Sequence, residues 1–256
     1  MQTFQNSFVV TPLEQFEILP LFKFFSISER FVFTNSSFFV FLVFFVIIGW
    51  FYFSILHQST LFPNYWQNIV ESIYLFILDM IQDTIGEDGY SYFPFIFVSF
   101  IFVLTCNLLG MIPYTFTVTS HIVITFSLGM ATFIGINIVA FRQHGLHFFS
   151  FFFPKDAPLM LTPFLVLIEL LSYVFRVLSL SIRLFANMMA GHTLLKILAG
   201  FAWTMLSAGG IFYILQFFPL AVVLALTGLE MGIAILQAYV WTVLVCIYLN
   251  DAIHLH

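Results

Sequence analysis

Residues whose side chains could pass protons recur at helical spacing in the last hundred positions of this sequence. Glu169, Ser172, Arg176, Ser179, Arg183 and Asn187 fall within about 80° of one another at 100° per residue. They draw a polar stripe along about four to five turns of a helix. His192 lies nearly opposite Arg183 on the same helix, and Lys196 is close to His192 in angle. Further on, Glu230, Gln237, Trp241 and Tyr248 fall within about 40° of one line, with Asp251 slightly off it. His and Glu can be tuned toward neutral pH, while Gln, Ser and Asn can orient water between them. Set among apolar residues, such groups suit a proton path.

The alternative is that these charges are ion pairs gluing helices together, Glu169 with Arg176 for example. Residues 157–256 hold just six charges, Glu169, Arg176, Arg183, Lys196, Glu230 and Asp251. Each costs roughly 2.5–3.5 kcal/mol at mid-membrane, so each needs a partner, water or a purpose. Arg183 has no acid three or four residues away on either side. Its guanidinium cannot deprotonate to escape burial, so its carboxylate must come from elsewhere, another protein included. Lys196, near a helix end, is placed to snorkel to the interface. Trp241 and Tyr248 read equally well as interfacial or as packing residues. Gly228-x-x-x-Gly232 flanks Glu230 and offers a close backbone approach to a neighbour.

The elements that must hold these residues are membrane helices. Of 256 residues, 62% are hydrophobic and 7% charged, and the mean hydropathy is +1.08. A water-soluble globule could not hide that much apolar surface. Phe is used 38 times, as an AT-rich genome would write it wherever only greasiness matters, and organelle genomes are often so biased. The net charge of −5 comes mostly from Glu71, Asp79, Asp83, Glu87 and Asp88, a segment with no Lys or Arg.

Residues 1–37 read as an N-terminal surface segment without the pattern of a signal peptide. Residues 38–56 give a first uncharged span. In 57–92, Ile69, Ile73, Phe76, Ile77 and Met80 at helical spacing, interrupted by acids, predict an amphipathic interfacial helix, then a polar turn at Gly86–Gly89. Residues 93–141 predict a two-span hairpin turning at Pro113, and 142–157 a loop. In 158–256, Thr162-Pro163 is a helix start signal. A helix from Pro163 to Leu198 would be about 54 Å long against a hydrocarbon core of ~30 Å, so it must tilt steeply. A second long helix follows the Gly209-Gly210 break, starting at Ile211 or Pro219 and ending at Ile253. Basic residues both before the first span and in the loop leave the orientation undecided.

Other signals are weak. The Asn35-Ser36-Ser37 sequon is a short match, His144-x-x-His147 lacks a third ligand, and Cys106 and Cys246 sit in apolar runs as buried thiols. No metal or cofactor is expected. The few, scattered Lys and Arg argue against nucleic acid. No G-x-x-x-x-G-K-[ST] phosphate loop is present, so the chain is not expected to make or hydrolyse ATP itself.

The run Ser179-Leu180-Ser181-Ile182-Arg183-Leu184-Phe185-Ala186-Asn187-Met188-Met189-Ala190-Gly191-His192 resembles the signature of subunit a of F-type ATP synthases. So do Glu230 through Val240, the tail Tyr248-Leu249-Asn250-Asp251, and Asn107-Leu108-Leu109-Gly110-Met111-Ile112-Pro113. The resemblance implies that Arg183 faces a rotating ring of c subunits, favouring its deprotonated carboxylate and blocking a direct leak. It implies that His192 and Glu230 line the intermembrane-space half-channel, with Gln237 close to Arg183 and Asn187 beside the ring. Glu169 and Asp251 would serve the matrix half-channel; Arg176 and Ser179 share its stripe. Bacterial members often carry an acid at His192 and a His at Glu230; the reverse here is the mitochondrial-type arrangement, which implies a multi-pass protein of the mitochondrial inner membrane. Some bacterial members have Asp at Gly110.

The expected fold is therefore an all-α polytopic membrane protein: an N-terminal span, an interfacial helix, a two-span hairpin and a hairpin of two long tilted helices. The expected function is proton translocation, as a stator facing the c-ring, with peripheral-stalk and other membrane subunits, lipids and protons as partners. The alternative class is a proton-coupled secondary transporter, which would want an internal repeat with paired Gly/Pro breaks.

Overall fold

The computed structural model describes residues 11, 13–23, 32–56, 65–112, 115–145, 148 and 162–254. It is helical and polytopic. Five helical stretches among these residues are long and apolar enough to cross a membrane: Asn35–Ser54, Glu87–Gly110, Ile122–His144, Thr162–Ala208 and Phe212–Ile253.

The N-terminal residues add a short antiparallel ribbon, β1 (Pro20–Lys23) with β2 (Val32–Thr34). Asn35 ties it to the first helix: its Nδ2 donates to the Glu17 carbonyl at 3.0 Å, and its Oδ1 accepts from the Leu19 amide at 3.2 Å and the Ser36 amide at 2.9 Å. The side chain of the sequon asparagine is thus occupied in local structure. Helix α1 (Asn35–Leu56) leaves most of its apolar residues exposed, as a lipid-facing helix must, and touches the body through Phe39 on Phe116 and Phe44 on Phe102.

Helix α2 (Tyr65–Thr84) is amphipathic: Ile77, Met80 and Ile81 are buried while Glu71, Asp79 and Asp83 are exposed. A turn at Gly86, with φ +83°, leads into a 3-10 stretch at Glu87–Tyr92. Helix α3 (Phe93–Gly110) starts with a proline in its first turn, where the missing amide costs nothing. The second span of the hairpin, α4 (Ile122–His144), begins after a 3-10 turn at Val118–Ser120. The turn residue Pro113, and His147 with the rest of 149–161, lie outside the described residues.

Helix α5 (Thr162–Ala208) runs ten residues past the expected end at Leu198. In lipid the backbone has no water to turn to, so Gly200 alone does not end a helix. The break comes at Gly209 and Gly210, both with positive φ (+69° and +64°). Short α6 (Phe212–Leu215) and long α7 (Phe217–Ile253) follow. At 1.5 Å per residue α5 is about 70 Å and α7 about 56 Å long.

The core lies where α2, α3, α5 and α7 meet: Ile77, Ile96, Val103, Leu184, Trp241, Val245 and Leu249 are within 1% of full burial. Trp241 is therefore a packing residue, and both cysteines are buried free thiols. Helices α4 and α5 run antiparallel in close contact, because Gly129 makes room for the Ser181 hydroxyl.

Candidate functional site

Two polar clusters lie along α5 with Arg183 between them. Arg176 is about 10 Å below Arg183 along the axis and His192 about 14 Å above it, on nearly opposite faces.

The upper cluster lines a cleft of ≈ 220 Å³ walled by Met111, Asn187, Gly191, His192, Leu226 and Glu230, among others. Glu230 is buried, 9% exposed, and its Oε2 has no hydrogen-bond partner among the described residues. Gly191 explains how a carboxyl sits flush against the neighbouring helix: a Cβ there would stand 2.6 Å from Glu230 Oε1. His192 Nε2 is likewise buried and unpartnered. Orphaned acceptors and donors beside a cleft of this size are groups for water to join. Gly228 and Gly232 do not do what the small-residue spacing suggested. Nothing among the described residues lies within 4 Å of a Cβ at either, and both glycines are exposed; the close approach to Glu230 comes from Gly191.

The lower cluster joins α5 to the end of α7. Arg176 Nη1 donates to Asp251 Oδ2 at 2.9 Å, each side chain 27% exposed. The guanidinium also lies 5.5 Å from the ring of Tyr248 and 5.9 Å from that of Tyr173. The glue pairing of Glu169 with Arg176 does not form. Seven residues is about 10 Å along a helix, too far for a direct bond, and Arg176 turns to Asp251 instead. Glu169 is half-buried with no bonded partner among the described residues.

Between the clusters, Asn187 Nδ2 donates to Gln237 Oε1 at 2.9 Å, linking α5 to α7 one turn from Arg183. Arg183 itself is exposed; its nearest polar contact is Ser179 Oγ, at 3.5 Å. Among the described residues it has no carboxylate partner. Lys196 is half-buried.

The family model "ATP synthase A chain" matches residues 37–250. The chain belongs to the ATP synthase A chain family. It is 54% identical over 253 residues to the ATP synthase subunit a of Chondrus crispus, covering 98% of this chain and 100% of that one. It is 57% identical over 249 residues to that of Marchantia polymorpha, covering 96% and 99%. Over 261 residues it is 56% identical to that of Brassica napus, covering 96% and 97%.

Four residues at the site escaped the reading of the sequence as site residues. Tyr173 and Asn137 form one pair, the tyrosine hydroxyl donating to Asn137 Oδ1 at 2.9 Å. Asn107, fully buried, donates to the Ala234 carbonyl at 3.3 Å, one turn from Glu230. Gly191 is the fourth, for the close approach to Glu230. A lone amide inside an apolar span was the available signal for Asn137 and Asn107; Gly191 sat in plain view inside the signature run.

Proposed function

We propose that this chain carries protons across the membrane through two half-channels ending on opposite sides of Arg183, as the stator subunit facing the c-ring of an F-type ATP synthase. It is a multi-pass protein of the mitochondrial inner membrane. It works among other subunits of the synthase, the peripheral stalk included, and acts as a conduit with no catalysis of its own.

The observation that carries this reading is Arg183: exposed at the middle of α5, without a carboxylate among the described residues, where Arg176 two turns away has one. A permanent cation facing hydrocarbon is costly, so a carboxylate supplied in trans is the natural partner. As such a carboxylate passes, the guanidinium favours its ionised form. The same fixed charge repels a proton crossing straight from one cluster to the other. A proton entering the cleft passes by His192 and Glu230 to the ring carboxylate and neutralises it, which lets that site leave Arg183 and face lipid. On the far side the carboxylate releases its proton toward Glu169 and the Arg176–Asp251 end, and returns ionised to Arg183. Asn187 and Gln237 brace the two helices at the crossing point. A secondary transporter with broken helices fits less well, since α5 is continuous over 47 residues.

The test is proton flux in vesicles holding the complex. Arg183→Ala should abolish ATP-driven pumping yet allow passive leak, and Arg183→Lys, although it keeps the charge, should also be severe. His192→Ala should slow both directions. Normal pumping by Arg183→Ala, with only assembly or heat stability impaired, would make the arginine structural and sink the channel reading.

A further inference from the structure

The Arg176–Asp251 pair is held from a third helix. Asn137 on α4 donates its Nδ2 to the Phe133 carbonyl at 2.9 Å, which leaves Oδ1 turned to accept the Tyr173 hydroxyl at 2.9 Å. The Tyr173 ring is braced by Phe133, centroids 5.0 Å apart, and by Phe148 at 6.4 Å. That ring lies against one side of the Arg176 guanidinium and Tyr248 against it from α7. A connected line of contacts therefore runs from the α4 backbone through Asn137, Tyr173 and Arg176 to Asp251.

We propose that Tyr173, anchored by Asn137, is a positioning residue that keeps Arg176 on Asp251 and thereby sets how tightly this end of the molecule holds a proton. The inference rests on the proton-path reading above. An arginine–carboxylate pair more than a quarter exposed is ordinarily loose, because two flexible side chains must be held in one geometry. Two aromatic faces within about 6 Å of the guanidinium restrict it, but only if the rings stay in place. Tyr248 comes from α7, the helix that also carries Asp251. Tyr173 is held on α4 by its hydroxyl bond to Asn137 and by its ring against Phe133, so that tether restrains the pair. With Arg176 in place a fixed positive charge stands 2.9 Å from the Asp251 carboxyl; with Arg176 adrift that charge is gone from the place a proton would join. Of the other titratable groups nearby, His144 of α4 bonds the Ile253 carbonyl at 3.0 Å and His254 faces Asp88 at 3.9 Å, while Glu169 lies two turns along α5 with no bonded partner among the described residues.

The experiment uses the whole complex in vesicles, varying pH separately on each side and recording proton conduction. Tyr173→Phe keeps the ring and removes the hydroxyl; Asn137→Leu removes the acceptor. Each should raise the apparent proton affinity on the Asp251 side by roughly two- to fivefold, the scale of one exposed cation–π contact. The His192 side should not move, and the double variant should be no worse than either single one. A role confined to helix packing would shift both sides together or neither, and either result overturns the proposal. Additive effects in the double variant overturn it too. Arg183→Ala, run alongside, separates the two ideas. If that variant pumps normally, the proton-path reading fails and this inference with it. If it behaves as expected while Tyr173→Phe is silent, only the positioning role is lost.

Discussion

The Asn187 amide on α5 and the Gln237 carbonyl oxygen on α7 meet at 2.9 Å, one helical turn from Arg183. Gln237 is 4% exposed and its own Nε2 has no partner among the described residues. The bond from Asn187 is thus the one hydrogen bond this buried side chain makes among the described residues. It also fixes the spacing of the two helices beside the arginine.

Asn187→Leu should therefore destabilise the solubilised complex by about 1–3 kcal/mol, the cost of stranding a buried polar group. Adding Gln237→Leu should recover much of that loss, since an apolar pair leaves nothing unsatisfied. Thermal melting of the single and double variants decides it; a double variant melting below the single one would refute the pairing. Pumping should fall in both.

Gly191→Ala should impair proton flux without unfolding the chain. The new methyl group would stand 2.6 Å from Glu230 Oε1, so the carboxyl must swing out of its place beside the cleft. Glu230→Asp, one methylene shorter, should partly restore flux in the Gly191→Ala background while slowing it in the wild type. Pumping assays on the four combinations check this, and independent effects would mean the two residues do not share a seat.

Gly209→Ala and Gly210→Ala should each destabilise the hairpin by roughly 1–2 kcal/mol, because both glycines hold the left-handed conformation that a Cβ opposes. A Cβ added at either would meet none of the described residues within 4 Å, so the penalty is one of backbone conformation and not of crowding. Yield of assembled complex and its melting temperature are the readouts. An unchanged melting point in both variants would show that the turn relaxes without them.

Helices and their punctuation were legible in the sequence. Thr162-Pro163 marks the start of α5 and Gly209-Gly210 its end, because caps, prolines and left-handed glycines act locally. On α2 the apolar spacing was legible in part: Ile77 and Met80 turn inward and Ile73 is half-buried, but Ile69 and Phe76 are exposed. The partners across helices were less visible. Arg176 could have been matched to Glu169 or to Asp251 by periodicity alone, and only the packing of α5 on α7 selects Asp251. Asn137 is the clearer case. Its bond to Tyr173 depends on the register of α4 against α5, set in part by the fit of Ser181 to Gly129, and no single-helix pattern contains that. The Gly228–Gly232 spacing misled for the same reason: small residues permit a close approach but do not say from which side it comes.

The length of α5 bears on how the molecule meets membranes of unequal thickness. A helix about 70 Å long in a hydrocarbon layer of ~30 Å can follow a thicker or thinner bilayer by changing its slope, with no need to unwind. The midpoint of Thr162–Ala208 is Phe185, two residues from Arg183. A rod that re-slopes about its middle sweeps its ends through the largest arc and barely shifts its centre. The arginine would then keep its depth at the pivot while the entrances above and below it rise and fall with the lipid.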